Sequence, residues 1–169
     1  MEKGDLTYRI IGCAMTVHSK LKRGFMEYVN CRALAIELRR EGIPYEREVW
    51  LPIHYDNYKI AWRRCDFYCQ QAVVVEVKAK AQLANEDIVQ AINTLERLNV
   101  KDGLLINFGA ESLQYKHIFN NKYLPESEFQ NITPELVGET DEDIFESRHY
   151  LPSWLVEKMQ RDKLRGRKV

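Results

Sequence analysis

An apolar segment near the middle of the chain, residues 72–79 (AVVVEVKA), is interrupted by two charged residues, Glu76 and Lys78. Three consecutive valines are typical of a strand that is buried inside a sheet. A buried charge destabilises such a strand unless it is paired or binds an ion. Because residues two apart in a strand point to the same side, Glu76 and Lys78 share one face. Either this face meets water at an edge of the sheet, or the protein uses both charges.

The patterns around this strand alternate between helical and extended. Helical spacing of apolar residues predicts helices over residues 8–21, 26–42 and 85–100. Alternating or continuous apolar runs predict strands over residues 45–55, 60–69, 72–79, 103–109 and 113–119. Short turns join the first three strands, which predicts an antiparallel meander. The whole order predicts an α/β domain in which helices cover a mixed sheet.

Two local predictions concern the helix surfaces. In the second helix, the buried side is predicted to contain Val29, Ala33, Ile36 and Leu38. The third helix is predicted to be amphipathic and to begin at an N-cap formed by Asn85. Its predicted apolar stripe consists of Ile88, Ala91, Ile92, Leu95 and Leu98.

Length and composition favour a single globular domain inside the cell. The 169 residues are enough to bury a core, and 45% of them are hydrophobic and 30% charged. The first residues contain no apolar signal-peptide segment, and no apolar run is long enough to span a bilayer. We therefore expect a cytoplasmic protein with no membrane partner.

The four cysteines are expected to be reduced thiols, because disulfides are rare inside cells. Cys65 and Cys69 are separated by three residues in a predicted strand, whereas zinc knuckles usually have two intervening residues. Structural zinc is therefore not the preferred interpretation. A hydrolase that uses Cys69 as its nucleophile is also disfavoured, since no histidine is recognisably placed to activate it.

The last fifty residues differ in charge from the rest of a neutral chain. Residues 126–146 contain eight acidic residues and no Lys or Arg, whereas residues 154–169 contain six basic and two acidic residues. A terminal helix is predicted over residues 153–164, capped by Ser153. We therefore divide the chain into a domain over residues 1–120 and a C-terminal extension over residues 121–169.

A second carboxylate is predicted to lie beside Glu76. The tight turn at residues 70–71 returns the chain next to the preceding strand, so Asp66 and Glu76 can converge from neighbouring strands. Two carboxylates repel each other unless one is protonated or a cation lies between them. Mg²⁺ is typically held by one or two carboxylates with carbonyl groups and water. Lys78 beside such a site could offset phosphate charge.

An Asp followed by Glu-x-Lys on adjacent strands resembles the PD-(D/E)xK nuclease superfamily. Within it, the chain is similar to the small GxxExxY proteins over roughly residues 5–118. The segments that carry the resemblance are RGFMEYVNCRALAIEL, GIPYEREVWLPIHY, CDFYCQQAVVVEVKA, DIVQAINTLERLNVKDGLLINFG and TVHSKL. The resemblance implies a restriction-endonuclease-like α/β core: a mixed sheet with a three-strand antiparallel meander, flanked by helices.

The resemblance also implies roles for individual residues. Asp66, Glu76 and the Val77 backbone carbonyl would hold Mg²⁺, with Mn²⁺ as an alternative, and Lys78 would be the catalytic lysine. Glu27 on the second helix is the glutamate of the family name and would complete the acidic cluster. The implied reaction is hydrolysis of phosphodiester bonds in DNA or RNA.

Four further residues are assigned to the same site. Gln90 on the third helix matches a glutamine that often accompanies it and would orient Lys78 or the attacking water. Arg63, Arg64 and Lys80 are expected to contact the nucleic-acid backbone, which positions a substrate without reading its sequence.

One departure from the family pattern keeps a second functional class open. Asn30 occupies the position of the family tyrosine, three residues after Glu27 on the predicted helix. If that tyrosine contacts substrate, this chain could be a catalytically inactive binding or assembly module. The sequence leaves open the choice between DNA and RNA, and between a monomer and a homodimer.

Overall fold

The structure is a computed structural model that describes residues 3–55, 58–125 and Glu157. The acidic segment at residues 126–146 lies outside the described residues. The predicted terminal helix lies outside them too, apart from Glu157.

Three helices and five strands form the described part of the chain. In chain order they are α1 (Lys3–Leu21), α2 (Glu27–Arg40), β1 (Tyr45–Tyr55), β2 (Tyr58–Cys69), β3 (Val73–Lys78), α3 (Asn85–Leu98), β4 (Asp102–Asn107) and β5 (Gln114–Phe119). Within the described ranges, none of the helices is both long and apolar enough to cross a membrane.

The strands form a single mixed sheet in the order β1-β2-β3-β4-β5. β1, β2 and β3 pair antiparallel, β3 and β4 pair parallel through the α3 crossover, and β5 returns antiparallel on β4. A helix is the usual connection between parallel neighbours, since a tight turn cannot join them. The predicted meander, the mixed sheet and the α/β fold are therefore confirmed.

Helices cover the sheet on both faces, which explains the run of valines in β3. Val73, Val75 and Val77 pack on one face with α1 and α2. Val74 packs on the other face with Ala91 of α3. Burial on both faces makes a strand apolar at consecutive positions rather than alternate ones. Glu76 shares the α3 face with Val74, because side chains alternate along a strand.

The local predictions for α2 and α3 need two corrections. The buried stripe of α2 consists of Cys31, Leu34, Ala35 and Leu38, whereas Ile36 is 49% exposed. Residues 31, 34, 35 and 38 follow helical spacing, and position 36 falls outside that stripe. Asn85 is the first residue of α3 rather than its cap.

The turn at Gln70 and Gln71 fixes how β2 and β3 pair. Gln70 and Gln71 both have positive φ, and the Ala72 N–H donates to the Cys69 carbonyl at 3.0 Å. Two central residues with positive φ are typical of a tight hairpin turn whose twist matches the strands. The turn sets the register of β2 against β3, which begins with the pair Cys69 and Val73.

Candidate active site

The candidate site lies where β2 and β3 separate. Their pairing runs from the hairpin turn to the pair Phe67 and Val75, so the next residue on each strand is Asp66 or Glu76. Beyond this point, the Val77 N–H donates a 2.8 Å hydrogen bond to Asp66 Oδ2 instead of to a β2 carbonyl. The N–H and carbonyl of one strand residue point to the same side. The Val77 carbonyl therefore also opens into this gap.

Glu76 is buried on the α3 face, with only 7% of its surface exposed. It lines a small cavity together with Val74, Ala91 and Leu95. Burial raises the pKa of Glu76 to about 7, and the nearby charge of Asp66 contributes in the same direction. A carboxylate in apolar surroundings loses hydration, which favours its neutral form.

Arg63 is the nearest described counter-ion of Glu76. Its Nη2 atom lies 3.7 Å from Glu76 Oε1. This distance is longer than a charge-assisted hydrogen bond, and the buried Oε1 atom has no hydrogen-bond partner. The positive charge of Arg63 nevertheless lowers the pKa of Glu76 and so opposes part of the effect of burial.

Glu27 and Lys78 belong to the same electrostatic cluster. Glu27 is the first residue of α2. Although its side chain is exposed at the surface, partial loss of hydration at its carboxyl group and the charge of Asp66 raise its pKa. Lys78 and Arg64 act in the opposite direction on Glu27. The structure thus brings Glu27, Asp66, Lys78 and Arg64 close enough to influence one another.

Two residues that were predicted for the site, Lys80 and Gln90, make contacts outside the cluster of Glu27, Asp66 and Lys78. Lys80 Nζ lies 2.8 Å from both carboxylate oxygens of Asp87 in the first turn of α3. These hydrogen bonds hold the pKa of Asp87 below its ordinary value. The Gln90 side chain is exposed on α3, and the Gln90 carbonyl accepts a hydrogen bond from the Thr94 hydroxyl.

Asn30 is buried at the start of α2, although Glu27, three residues earlier, is exposed. The Asn30 side-chain amide donates to the carbonyls of Phe25 and Met26 at 3.3 and 3.2 Å. Asn30 Oδ1 is buried without a hydrogen-bond partner. Asn30 therefore fastens the segment that leads into α2 and helps to fix the position of Glu27.

Asn107, which the sequence did not single out as a site residue, holds the loop that follows the site strand β3. Asn107, fully buried at the end of β4, accepts hydrogen bonds from the N–H groups of Lys80 and Gly109 and donates to the Lys80 carbonyl and Gln114 Oε1. Gln114 Oε1 also accepts the Leu83 N–H. We call these contacts the Asn107 clamp. They attach the loop after β3 to the ends of β4 and β5.

The clamp begins next to Lys78. Lys78 and Asn107 are partners in the parallel register, and the Phe108 N–H donates to the Lys78 carbonyl at 2.8 Å. Residues of β4 and the loop after it therefore bind both the Lys78 carbonyl and the backbone two residues later, at Lys80. The criterion that singled out Glu76, a polar residue inside an apolar strand, also applies to Asn107 in GLLINFG.

The donor set at the separated strands suits a hard divalent cation. Asp66 and Glu76 supply carboxylates and Val77 supplies a carbonyl, which are oxygen ligands of the kind that Mg²⁺ prefers. Glu76 Oε1 makes no hydrogen bond, although Arg63 Nη2 lies 3.7 Å from it. Within residues 3–55 and 58–125 and at Glu157, no group of three or more His, Cys, Asp or Glu residues could hold a metal. A cation here would therefore need water or substrate oxygens as additional ligands.

The cysteines are free and buried. Burial raises the pKa of the Cys13 thiol to about 11 and the pKa of Cys31, Cys65 and Cys69 to about 12. A thiol with such a pKa is protonated near neutral pH and is a poor nucleophile. These environments do not support a hydrolase that uses Cys69.

Comparisons with known proteins bear on the same region. A family model described as the PD-(D/E)XK nuclease superfamily matches residues 4–118, which is more than half of the chain. A solved structure titled "Crystal structure of SSO0001" is 15% identical, with a TM-score of 0.41. The similarity covers 76% of this chain but 62% of that one. No curated protein matches the chain.

Proposed function

The chain belongs to the PD-(D/E)XK nuclease superfamily, and we propose that it is a metal-dependent nuclease that hydrolyses phosphodiester bonds in DNA or RNA. The observation that carries the proposal is the position of Asp66, Glu76 and Lys78 where β2 and β3 separate. Burying the Glu76 carboxylate in a strand of valines costs stability, so the requirements of a stable core do not explain its presence. We also propose that the chain is a GxxExxY protein, on the sequence segments that resemble that family.

The proposal assigns the ion to Asp66, Glu76 and the Val77 carbonyl. Mg²⁺ or Mn²⁺ would supply Lewis-acid stabilisation of a phosphate oxygen and make water more acidic. Asp66 also accepts the Val77 N–H bond, so one side chain orients the backbone that presents the third ligand. Asp66 and the Val77 carbonyl are thereby held in position before a ligand binds.

Lys78 is proposed as the catalytic lysine. Its ammonium group lies in the field of Glu27 and Glu76, since its charge lowers the pKa of both. An ammonium group placed there would stabilise the negative charge that develops on phosphate during attack by water. Glu27 is proposed to complete the acidic cluster through its charge and not as a third metal-binding carboxylate, since no three described Asp, Glu, His or Cys residues are grouped to hold a metal. Gln90 is proposed to orient Lys78 or the water once substrate is bound.

Arg63, Arg64 and Lys80 are proposed to contact the phosphate backbone. Arg64 is more exposed than Arg63, and its charge acts on Glu27. It could therefore reach a phosphate without breaking a described contact. Arg63 and Lys80 would first have to leave Glu76 and Asp87. We therefore expect Arg64 to contribute most to initial binding.

The proposal is tested by incubating single- and double-stranded DNA and RNA with the wild type in Mg²⁺, Mn²⁺ or EDTA. Glu76→Gln and Lys78→Ala are assayed in parallel, with Lys116→Ala, an exposed lysine of β5, as the control. We expect metal-dependent cleavage by the wild type and Lys116→Ala and loss of cleavage in the two site variants. Cleavage that persists in Glu76→Gln would contradict the assignment of the site.

The second candidate is a binding or assembly module without catalysis. The observation in its favour is Asn30, whose amide is used to fasten the start of α2 where the family has a tyrosine. On this alternative, no nucleic acid is cleaved in any metal, and calorimetry detects no binding of Mg²⁺ or Mn²⁺. Metal binding without cleavage would instead retain the proposed site and call for other substrates.

A further inference from the structure

The ion pair between Arg63 and Glu76 is largely buried, but its two charged groups are too far apart to form a hydrogen bond. Glu76 is 7% exposed, and the Arg63 side chain is 33% exposed. Their closest charged atoms lie 3.7 Å apart, beyond the roughly 2.7–2.9 Å of a charge-assisted hydrogen bond. Glu76 Oε1 and Arg63 Nε are both buried without hydrogen-bond partners. The pair neutralises charge but leaves hydrogen-bonding capacity unused on both sides.

The strand direction explains why Arg63, rather than its neighbour, reaches Glu76. Cys65 of β2 packs in the core beneath α3, and Glu76 lines the cavity on that same face. Arg63, two residues before Cys65, shares this face by strand alternation. Arg64 belongs to the opposite face, where its charge acts on Glu27.

We propose that Arg63 is the resident counter-cation of Glu76 and that a divalent cation gains Glu76 only by displacing the Arg63 guanidinium. The inference rests on the proposed function, because it concerns the same cation. A carboxylate this deeply buried is strongly destabilised without a positive partner. The 3.7 Å contact supplies that charge without the hydrogen bonds that would make the pair difficult to separate.

The released guanidinium has an obvious ligand. Arg63 lies on the strand that also carries Asp66 and Arg64, and its side chain is partly exposed. A guanidinium freed from Glu76 can therefore bind a phosphate oxygen with its planar set of donors. On this view, metal and nucleic acid support each other's binding, because each takes one member of the Arg63–Glu76 pair.

The test is calorimetric titration of the metal-free chain of 169 residues with MnCl₂, in the absence of nucleic acid. The variants are Arg63→Gln and Arg64→Gln, which remove one positive charge from adjacent residues, and Glu76→Gln. Displacement predicts that Arg63→Gln binds Mn²⁺ roughly tenfold more tightly than the wild type, equivalent to about 1.4 kcal/mol. Arg64→Gln should change the affinity much less, and Glu76→Gln should lose the binding.

Different failures are distinguishable. If Glu76→Gln loses Mn²⁺ but Arg63→Gln binds it no more tightly than the wild type, the displacement inference is wrong and the nuclease proposal stands. An equal gain in Arg63→Gln and Arg64→Gln would also overturn displacement, because it would indicate a general effect of charge. If the wild type and Arg63→Gln both bind no Mn²⁺, the inference and the proposed metal site fail together.

A second measurement uses the wild type and does not depend on the stability of a variant. The Nε–H resonances of Arg63 and Arg64 are followed by ¹⁵N NMR during titration with diamagnetic Mg²⁺, after assignment with Arg63→Lys and Arg64→Lys. Displacement predicts that the Arg63 resonance shifts in proportion to saturation while the Arg64 resonance moves less. An Arg63 resonance that is unchanged at full saturation would overturn the inference.

Discussion

The side chain of Asn107 binds the backbone of Lys80 in both directions: Oδ1 accepts the Lys80 N–H at 2.9 Å, and Nδ2 donates to the Lys80 carbonyl at 3.0 Å. Asparagine can make this double contact because its amide presents a donor and an acceptor side by side. The loop after β3 is thereby held two residues beyond Lys78. The geometry around the proposed catalytic lysine depends on a residue from another strand.

We expect Asn107→Ala to destabilise the protein by about 2–4 kcal/mol. The substitution leaves the buried backbone groups of the clamp without partners, and each unsatisfied group costs roughly 1–3 kcal/mol, partly relieved by water. Urea unfolding measures the effect, with the exposed residue Asn121 changed to Ala as the control. If both variants unfold at the same urea concentration, the clamp does not stabilise the fold.

Two glycines should respond to the same substitution with opposite signs. A Cβ atom on Gly109 would lie 2.4 Å from the backbone N and O of Lys80, whereas a Cβ on Gly12 of α1 would have nothing within 4 Å. We expect Gly109→Ala to destabilise by more than about 2 kcal/mol, because backbone atoms must move. Gly12→Ala should stabilise by roughly 0.5–1 kcal/mol through helix propensity.

Thermal unfolding of the two glycine variants at one pH checks this pair of predictions. The loop that contacts Gly109 also follows Lys78, so cleavage activity should fall in Gly109→Ala and remain unchanged in Gly12→Ala. A Gly109→Ala protein with the melting temperature of the wild type would show that the loop and β4 can separate without cost.

The fold was largely predictable because its signals are local. The helical and strand periodicity, together with the tight turn at Gln70 and Gln71, was enough to predict the meander. That turn also made the approach of Asp66 to Glu76 foreseeable, because a short hairpin fixes the register of both strands. The error at Ile36 arose because α2 contains apolar residues on more than one side, and only packing against the sheet decides which side is buried.

The contacts that complete the site could not be predicted in the same way. Lys80 lies two residues after the strand that carries Glu76, but its ammonium group binds Asp87 of α3, and this contact depends on how the crossover helix is placed. Arg63 was expected to contact phosphate, and its contact with Glu76 follows from which face of β2 it occupies. Such partners are set by tertiary packing rather than by spacing along the chain.

Lys78 and Lys80 should differ in function although they are two residues apart. We expect Lys78→Met to reduce cleavage by about 100-fold or more, because it removes a charge placed to stabilise the reacting phosphate. Lys80→Met should retain cleavage at saturating enzyme, because its proposed phosphate contact only positions the substrate. It should lose about 1 kcal/mol of stability, since it breaks a partly exposed ion pair with Asp87. Single-turnover cleavage and urea unfolding of both variants separate the two roles.

The opposite result is informative for Lys80. If Lys80→Met loses cleavage as severely as Lys78→Met while its stability is unchanged, Lys80 acts on the reacting phosphate and does not only position the substrate backbone. Asp87→Asn provides the matched control, because it weakens the same ion pair without removing the lysine. Cleavage retained in Asp87→Asn but lost in Lys80→Met would identify the ammonium group itself as the functional element.

Glu76 should make the stability of the metal-free protein depend on pH. Its pKa is raised from 4.5 to about 7 in the folded state, so the folded protein binds the proton more tightly than the unfolded chain does. The corresponding stabilisation is fully present below pH 4.5 and is lost as the pH rises through 7. At 1.36 kcal/mol per pKa unit, the loss is about 3 kcal/mol.

The amide in Glu76→Gln does not titrate, so this variant isolates the contribution. We expect the stability of Glu76→Gln relative to the wild type to rise by about 3 kcal/mol between pH 4.5 and pH 8. Urea unfolding in EDTA at several pH values measures this difference, and other titrating groups cancel because both proteins contain them. A difference that is constant across the pH range would show that Glu76 is ionised in the folded protein at no cost, and hence that Arg63 compensates its burial fully.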